Sequence, residues 1–243
     1  MNIAADNQAN PMDVRNQIPM FRDICLTCRR ARVNCYCSMV RPFASNPSFI
    51  ILTQPREDKH RFGTGRMAHR CLTNSLVFQG VDFSEHERVN AILRDPKLYP
   101  VVLYPGSRST NLSNLSPEQR AALIPAGKKM VAFLLDGTWK TVRKMVRASQ
   151  NLCRLPFISF EPRTPSNYRI RKQPRANYYS TVEAIHHVID LFAAANDGEA
   201  SNSRPHDNLL EVFDLSVHRQ LQYTPGHAIP HPSRPAGLKI PTP

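Results

Sequence analysis

Short apolar runs alternate with amphipathic stretches along this chain, and this alternation restricts its fold more than any other feature. Residues 48–53, 100–104, 129–135 and 155–160 have the length and composition of buried strands. Helical spacing of apolar residues marks the stretches around them: 64–75, 84–93, a helix starting at Ser116, 138–148, 181–195 and 208–223. Strands alternating with helices predict an α/β fold with a mostly parallel sheet and helices on both faces.

In a parallel sheet, ligands bind at the loops that follow the carboxyl ends of the strands. The loops after Tyr104 and Leu135 are therefore the first candidates for a small-molecule site. Asp136 ends the clearest strand, Gly137 allows a tight turn, and Thr138 can cap the next helix. The spacing alone explains this carboxylate equally well as a turn or cap residue.

The helix over residues 138–148 has two contrasting faces. Trp139, Val142 and Val146 are spaced to form an apolar stripe against the sheet. The other face carries cations at positions i, i+3, i+4 and i+7, a row that suits a phosphate backbone. We call this row the basic ridge: Lys140, Arg143, Lys144 and Arg147.

The formal net charge of +13 indicates a polyanionic partner, most simply a nucleic acid. Most of the excess lies in two segments, and between residues 139 and 175 Glu161 is the only acidic residue. Beyond the basic ridge, the candidates for phosphate contacts are Arg169, Arg171, Lys172 and Arg175 in the first segment, and Arg29, Arg30 and Arg32 in the second.

Four cysteines near the start of the chain follow the pattern C-x2-C-x6-C-x-C. An all-sulfur set without an open position is typical of structural zinc, with redox chemistry or an iron–sulfur cluster as the alternative. The predicted ligands of this zinc knuckle are Cys25, Cys28, Cys35 and Cys37. His186 and His187 lie within a helix with no second pair at ligand spacing, so packing is favoured over metal binding there.

Composition divides the chain into four parts. We predict a loose lead-in at residues 1–20, the zinc knuckle at 21–41, the α/β domain at 42–224 and a proline-rich flexible tail at 225–243. No apolar run is long enough to span a bilayer, and no secretory signal pattern opens the chain. We therefore expect a cytoplasmic protein without a membrane partner.

Asp136-Gly137-Thr138-Trp139 resembles the D-x-T-W signature of the DTW-domain family, the tRNA-uridine aminocarboxypropyltransferases. Further blocks occur in the order of that family and span residues 21–195: the cysteine knuckle, Gln54-Pro55-Arg56-Glu57, Gly63-Thr64-Gly65-Arg66-Met67-Ala68, Tyr104-Pro105-Gly106, residues 168–174 and residues 180–184. One position departs from the pattern, because Gln54 stands where the family usually has His.

The resemblance implies a SPOUT-like, knotted core and transfer of the 3-amino-3-carboxypropyl group of S-adenosylmethionine to N3 of a uridine in tRNA. Asp136 is then the predicted base for the N3 proton, while the basic ridge and the other cations named above contact tRNA. The cofactor-binding residues that the resemblance implies are Tyr104, Pro105, Gly106, Leu135, Gly137, Thr138, Trp139, Ser180, Thr181 and Glu183.

A base that leaves its stack needs an aromatic platform. The place of Trp139 on the apolar stripe favours core packing for that side chain, which leaves Tyr168, Tyr178 and Tyr179 as alternatives. Two other functions stay open at this point: a zinc-knuckle RNA-binding protein without catalysis, and a SPOUT-like RNA methyltransferase. An acidic residue at the end of a strand in an α/β core favours an enzyme, because simple binding does not require it.

Overall fold

The computed structural model describes residues 23–58, 62–171, 178–193 and 203–222. Within these residues the strands are β1 (Ser48–Thr53), β2 (Leu76–Gln79), β3 (Leu98–Leu103), β4 (Ser109–Asn111), β5 (Lys129–Asp136) and β6 (Phe157–Ser159). They form one sheet in the order β2-β1-β5-β3-β6-β4, and every neighbouring pair is parallel. The predicted parallel sheet is confirmed.

The helices of the described residues are α1 (Pro55–Asp58), α2 (Thr64–Cys71), α3 (Glu87–Arg94), α4 (Pro117–Ala122), α5 (Trp139–Ala148), α6 (Gln150–Cys153), α7 (Thr181–Ala193) and α8 (Asp207–Gln222). Alternate residues of each strand point to opposite faces of the sheet. Phe49 and Ile51 of β1 pack with residues of α2, α7 and α8. Ile50 and Leu52 pack with residues of α3, α5 and α6. The prediction of helices on both faces is therefore also confirmed.

Strand β5 lies between β1 and β3 near the centre of the sheet. Every residue of β5 after Lys129 is buried, including Asp136 at its end. A continuous apolar run without alternation is what a parallel strand covered on both faces requires. The edge strands β2 and β4 are short and partly exposed, and for that reason the sequence pattern does not predict them.

Helix starts agree with the sequence at one place and differ at another. Ser116 caps α4 in the predicted way, with its side chain accepting from the backbone N–H three residues on. The helix predicted from residue 84 begins later, because His86 caps α3 and the helix starts at Glu87. The Ser84 hydroxyl donates to the carbonyl of Ala148 at 3.1 Å and so ties the loop to the end of α5.

The cysteine segment packs against α8, and Cys25, Cys28 and Tyr36 belong to the same apolar cluster as Phe49 and Ile51. The knotted path implied by the family resemblance stays a prediction. The predicted lead-in and tail lie outside the described residues. None of the helices in the described ranges has the length and apolar character needed to cross a membrane.

Candidate active site

A cavity of about 390 Å³ lies at the carboxyl ends of β3, β5 and β6, beside the N-termini of α2 and α7. Its volume falls in the range of small-molecule sites. The sequence-predicted residues that line it are Tyr104, Pro105, Leu135, Asp136, Gly137, Thr138, Trp139, Ser180 and Thr181. Gly106 and Glu183 are not among the lining residues. The cavity therefore brings together two loops and a helix start that are distant in sequence.

Asp136 is the buried carboxylate of this cavity, with 4% of its surface exposed. Thr181, the first residue of α7, donates its hydroxyl to Asp136 Oδ1 at 2.6 Å. Burial raises the pKa of Asp136 to about 6, a shift that the charge of Glu57 increases and the hydrogen bond from Thr181 opposes. The carboxylate is therefore a stronger base than an exposed aspartate.

Gly65 in the first turn of α2 makes room for that carboxylate. A Cβ atom at this position would lie 2.6 Å from Asp136 Oδ2 and 2.8 Å from Asp136 Cγ. Real Cβ contacts essentially never come this close, so a larger residue must displace the aspartate. The block that contains Gly65 can be recognised in the sequence, but the role of Gly65 depends on a contact between α2 and the end of β5.

An ion pair with a buried carboxylate lies close to Asp136. Arg171 binds both carboxylate oxygens of Glu57, with Nη2 at 3.1 Å from Oε2, and Glu57 is buried. Gln54, at the end of β1, accepts from the backbone N–H of Glu57 and so fixes the start of α1. Arg171 was predicted to contact RNA, and this contact stays a prediction: its guanidinium is paired with Glu57 and lines the cavity.

Ser180 and Glu183 form a reciprocal cap at the start of α7. The Ser180 N–H donates to Glu183 Oε2 at 2.8 Å, and the Glu183 N–H donates to the Ser180 hydroxyl at 3.3 Å. Glu183 also accepts from Ser166 and from the backbone N–H of Asn167. The sequence pattern S-x-x-E signals such a cap. Glu183 therefore stabilises the segments that border the cavity, although its own side chain does not line the cavity.

Aromatic side chains form part of the cavity wall. The ring centroids of Trp139 and Tyr178 lie 4.2 Å apart, with an angle of 37° between the ring planes. The ring centroid of Tyr104 lies 6.4 Å from that of Trp139. The expectation that Trp139 packs in the core is wrong. Val142 and Val146 are buried as predicted, but Trp139 is half-buried and faces the cavity, because it belongs to the first turn of α5 at the edge of the sheet.

The basic ridge is fully exposed along α5, as its spacing predicts. Its four cations border a shallow surface depression of their own. Burial raises the pKa of Tyr104, and the charges of Arg143 and Arg147 oppose that shift. Since Tyr104 lines the cavity, these two ridge cations lie beside the cavity.

The other predicted RNA contacts have mixed positions. Arg30 is a clear correction: it is 5% exposed, stacks over the Phe62 ring at 4.5 Å and donates to Gln220 at 3.0 Å. Arg29 and Arg32 are exposed, while Arg169 is half-buried. Lys172 and Arg175 lie outside the described residues.

The four predicted metal ligands converge. Their Sγ atoms all lie within 4.8 Å of one another, with Cys25 and Cys37 at 3.8 Å and Cys28 and Cys35 at 3.7 Å. Tetrahedral zinc with Zn–S bonds of about 2.3 Å separates its sulfurs by about 3.8 Å. Buried Arg30 Nη1 has no hydrogen-bond partner among the described residues, and the charge of Cys28 acts on Arg30. These residues fit a zinc–tetrathiolate centre, whose negative charge suits a buried guanidinium.

Comparison with known proteins identifies a family for this chain. The model of the DTW domain matches residues 22–221. The chain is 24% identical over 228 residues to tRNA-uridine aminocarboxypropyltransferase A of Arabidopsis thaliana. The alignment covers 83% of this chain and 82% of that protein. No solved structure gives a significant match.

Proposed function

The chain belongs to the DTW domain family, and from this premise we propose that it transfers the 3-amino-3-carboxypropyl group of S-adenosylmethionine to N3 of a uridine in tRNA. The observation that carries the proposal is Asp136, a buried carboxylate of raised pKa that lines an aromatic-walled cavity beside a row of exposed cations. The similar plant protein bears the name of this activity.

Asp136 acts as the base in this reaction. N3 of uridine carries a proton and is a poor nucleophile until that proton leaves, so a carboxylate must accept it as the new bond forms. A pKa of about 6 leaves Asp136 mostly ionised at neutral pH while making it a better proton acceptor than an exposed aspartate. The hydroxyl of Thr181 orients the accepting carboxylate from its Oδ1 side.

The residues of the cavity fit S-adenosylmethionine. Its sulfonium activates a methylene carbon: the bond from N3 to this carbon forms as the carbon–sulfur bond breaks, and sulfur keeps the electron pair in methylthioadenosine. The faces of Trp139 and Tyr178 suit both a cation and an adenine ring. The N-terminus of α7 at Ser180 and Thr181 favours the carboxylate of the transferred group.

The basic ridge is the proposed tRNA contact. It is exposed, and two of its cations lie beside Tyr104. A tRNA backbone on this helix would bring an unstacked base to the mouth of the cavity, where Trp139 and Tyr178 offer an aromatic surface. The four knuckle cysteines would hold a structural zinc ion, whose tetrathiolate charge would complement Arg30 where it stacks on Phe62 and donates to Gln220 of α8.

One assay tests the proposal directly. The protein is incubated with tRNA and S-adenosylmethionine labelled in the carboxyl carbon, and the tRNA is digested to nucleosides. We expect the label on uridine and an equal amount of methylthioadenosine. A methyl label on RNA with no carboxyl label would contradict the proposal and favour a methyltransferase. Binding of tRNA without either label would favour an RNA-binding protein.

The role of Asp136 needs its own test. We expect Asp136→Ala to retain cofactor and tRNA affinity while turnover falls by about 10²–10⁴-fold, the usual contribution of a general base. Asp82→Ala is the matched control, because Asp82 is a loop aspartate that is not among the cavity-lining residues. Full turnover of Asp136→Ala with an unchanged pH profile would remove Asp136 from the mechanism.

A further inference from the structure

A second group of metal-ligating side chains lies between α7 and α8, apart from the cavity. His186 and Asp190 are one turn apart on α7, and His206 and Asp207 stand at the start of α8. One ligand atom each from His186, Asp190 and His206 lies within 4.8 Å of the other two. The histidines are buried, at 8% and 5% exposure, while Asp190 is partly exposed and leaves a route for an ion.

The hydrogen bonds of this cluster place a nitrogen of each histidine beside the Asp190 carboxylate. His186 Nε2 lies 2.8 Å from Asp207 Oδ1, which leaves His186 Nδ1 facing Asp190 Oδ2 at 3.5 Å. His206 Nε2 lies 2.8 Å from Asp190 Oδ1. A metal-binding histidine usually donates its second ring N–H to a carboxylate in this way, which fixes the orientation of the ring.

One contact in the cluster calls for a cation. When His186 Nε2–H donates to Asp207, the Nδ1 atom carries a lone pair and faces a carboxylate oxygen. Two acceptors that face each other repel unless a positive charge lies between them. We propose that a divalent metal ion of the zinc class binds here to His186, Asp190 and His206.

The distances suit such an ion. Zinc binds histidine nitrogen and carboxylate oxygen at about 2.0–2.2 Å, which places neighbouring ligand atoms about 3.4 Å apart in a tetrahedron. His186 Nδ1 already lies at this separation from Asp190 Oδ2, at 3.5 Å. His206 Nε2 lies 2.8 Å from Asp190 Oδ1, so this pair must open by about 0.6 Å to admit the ion. Two imidazoles and one carboxylate leave a fourth position for water.

Arg204 completes the surroundings of the site. Its Nη2 lies 2.7 Å from Asp190 Oδ1 and 3.1 Å from Asp207 Oδ1, so it holds both carboxylates in place. With neutral imidazoles the two carboxylates and one guanidinium leave a net negative charge, which favours a cation. The ion would join α7 to α8 across residues 194–202 and act as a structural link independent of the knuckle.

Metal content of the full chain tests the site. The purified protein is loaded with Zn²⁺, dialysed and analysed for zinc per chain. We expect two ions in the wild type, one in His206→Ala and two in the matched control His218→Ala, which changes an exposed histidine of the same helix. One ion per wild-type chain, or two in His206→Ala, would overturn the proposal.

A second measurement needs no variant. Wild-type protein that holds one equivalent of Zn²⁺ at the thiolates is titrated with Co²⁺. We expect one further equivalent to bind with weak visible bands and without a thiolate-to-cobalt charge-transfer band. Absence of saturable Co²⁺ binding would show that a proton on His186 supplies the positive charge, and that the cluster is a hydrogen-bonded network alone.

Discussion

Asp136→Asn should make the folded protein more stable at pH 8 while it abolishes turnover. The amide has nearly the shape of the carboxylate and can still accept from the Thr181 hydroxyl, but it cannot ionise. The wild-type protein must bury a charge at this position above the pKa of Asp136, whereas the variant buries a neutral group.

The size of the effect follows from the pKa. Burial raises the pKa of Asp136 from 3.8 to about 6. One pKa unit equals about 1.4 kcal/mol, so ionised Asp136 destabilises the folded state by about 3 kcal/mol relative to its protonated form. Because the folded-state pKa is the higher one, this destabilisation is absent below pH 4, develops as the pH rises through 4 to 6, and is complete above about pH 7.

Urea unfolding of both proteins between pH 4 and pH 8 measures the difference. We expect equal free energies of unfolding at pH 4 and an advantage for Asp136→Asn of up to about 3 kcal/mol at pH 8. Asp82→Asn is the control with the opposite sign, since a backbone hydrogen bond from Ser84 lowers the pKa of Asp82. A difference for Asp136→Asn that is independent of pH would refute the reasoning.

Three further variants probe the surroundings of the buried aspartate and the RNA surface. Gly65→Ala should reduce turnover by about 100-fold, because the new Cβ displaces the carboxylate. Turnover equal to that of the wild type would contradict the steric argument. Thr181→Val removes a hydrogen bond to the ionised aspartate that is worth about 1.5–3 kcal/mol. The acid limb of the pH–rate profile should therefore move up by about 1–2 pH units. An unmoved limb would show that this limb does not report the ionisation of Asp136. Replacing Lys144 and Arg147 by Ala should reduce the steepness of log tRNA affinity plotted against log salt concentration by about 1.5, with unchanged cofactor affinity. An unchanged slope would show that tRNA does not bind at the basic ridge.

The strand–turn–helix around Asp136 is local, and the sequence predicts it well. A buried run over residues 129–135, a following carboxylate, and Thr138 as the cap of α5 all appear in the structure. Thr138 accepts from the backbone N–H of Thr141 as expected. Each of these features depends on residues within one turn or strand, so periodicity and capping preferences suffice to predict them.

Roles that depend on distant partners are not visible in the pattern. Arg30 and Arg171 read as surface cations in the sequence, yet Phe62 and Gln220 bury the first and Glu57 holds the second. The Glu57 contact joins α1 to a loop more than a hundred residues away in the chain. Charge runs show which residues carry charge, but only packing shows which of them reach solvent.

The sequence by itself determined the parallel α/β architecture, the four-cysteine cluster and the position of Asp136 at the end of a central strand, since all three follow from local composition and spacing. The tertiary structure alone decided that Asp136 is buried against Gly65 and bound by Thr181. It also decided that His206 joins His186 and Asp190. A pKa and a ligand geometry are properties of side chains that meet in space, and folding brings these together from separate parts of the chain.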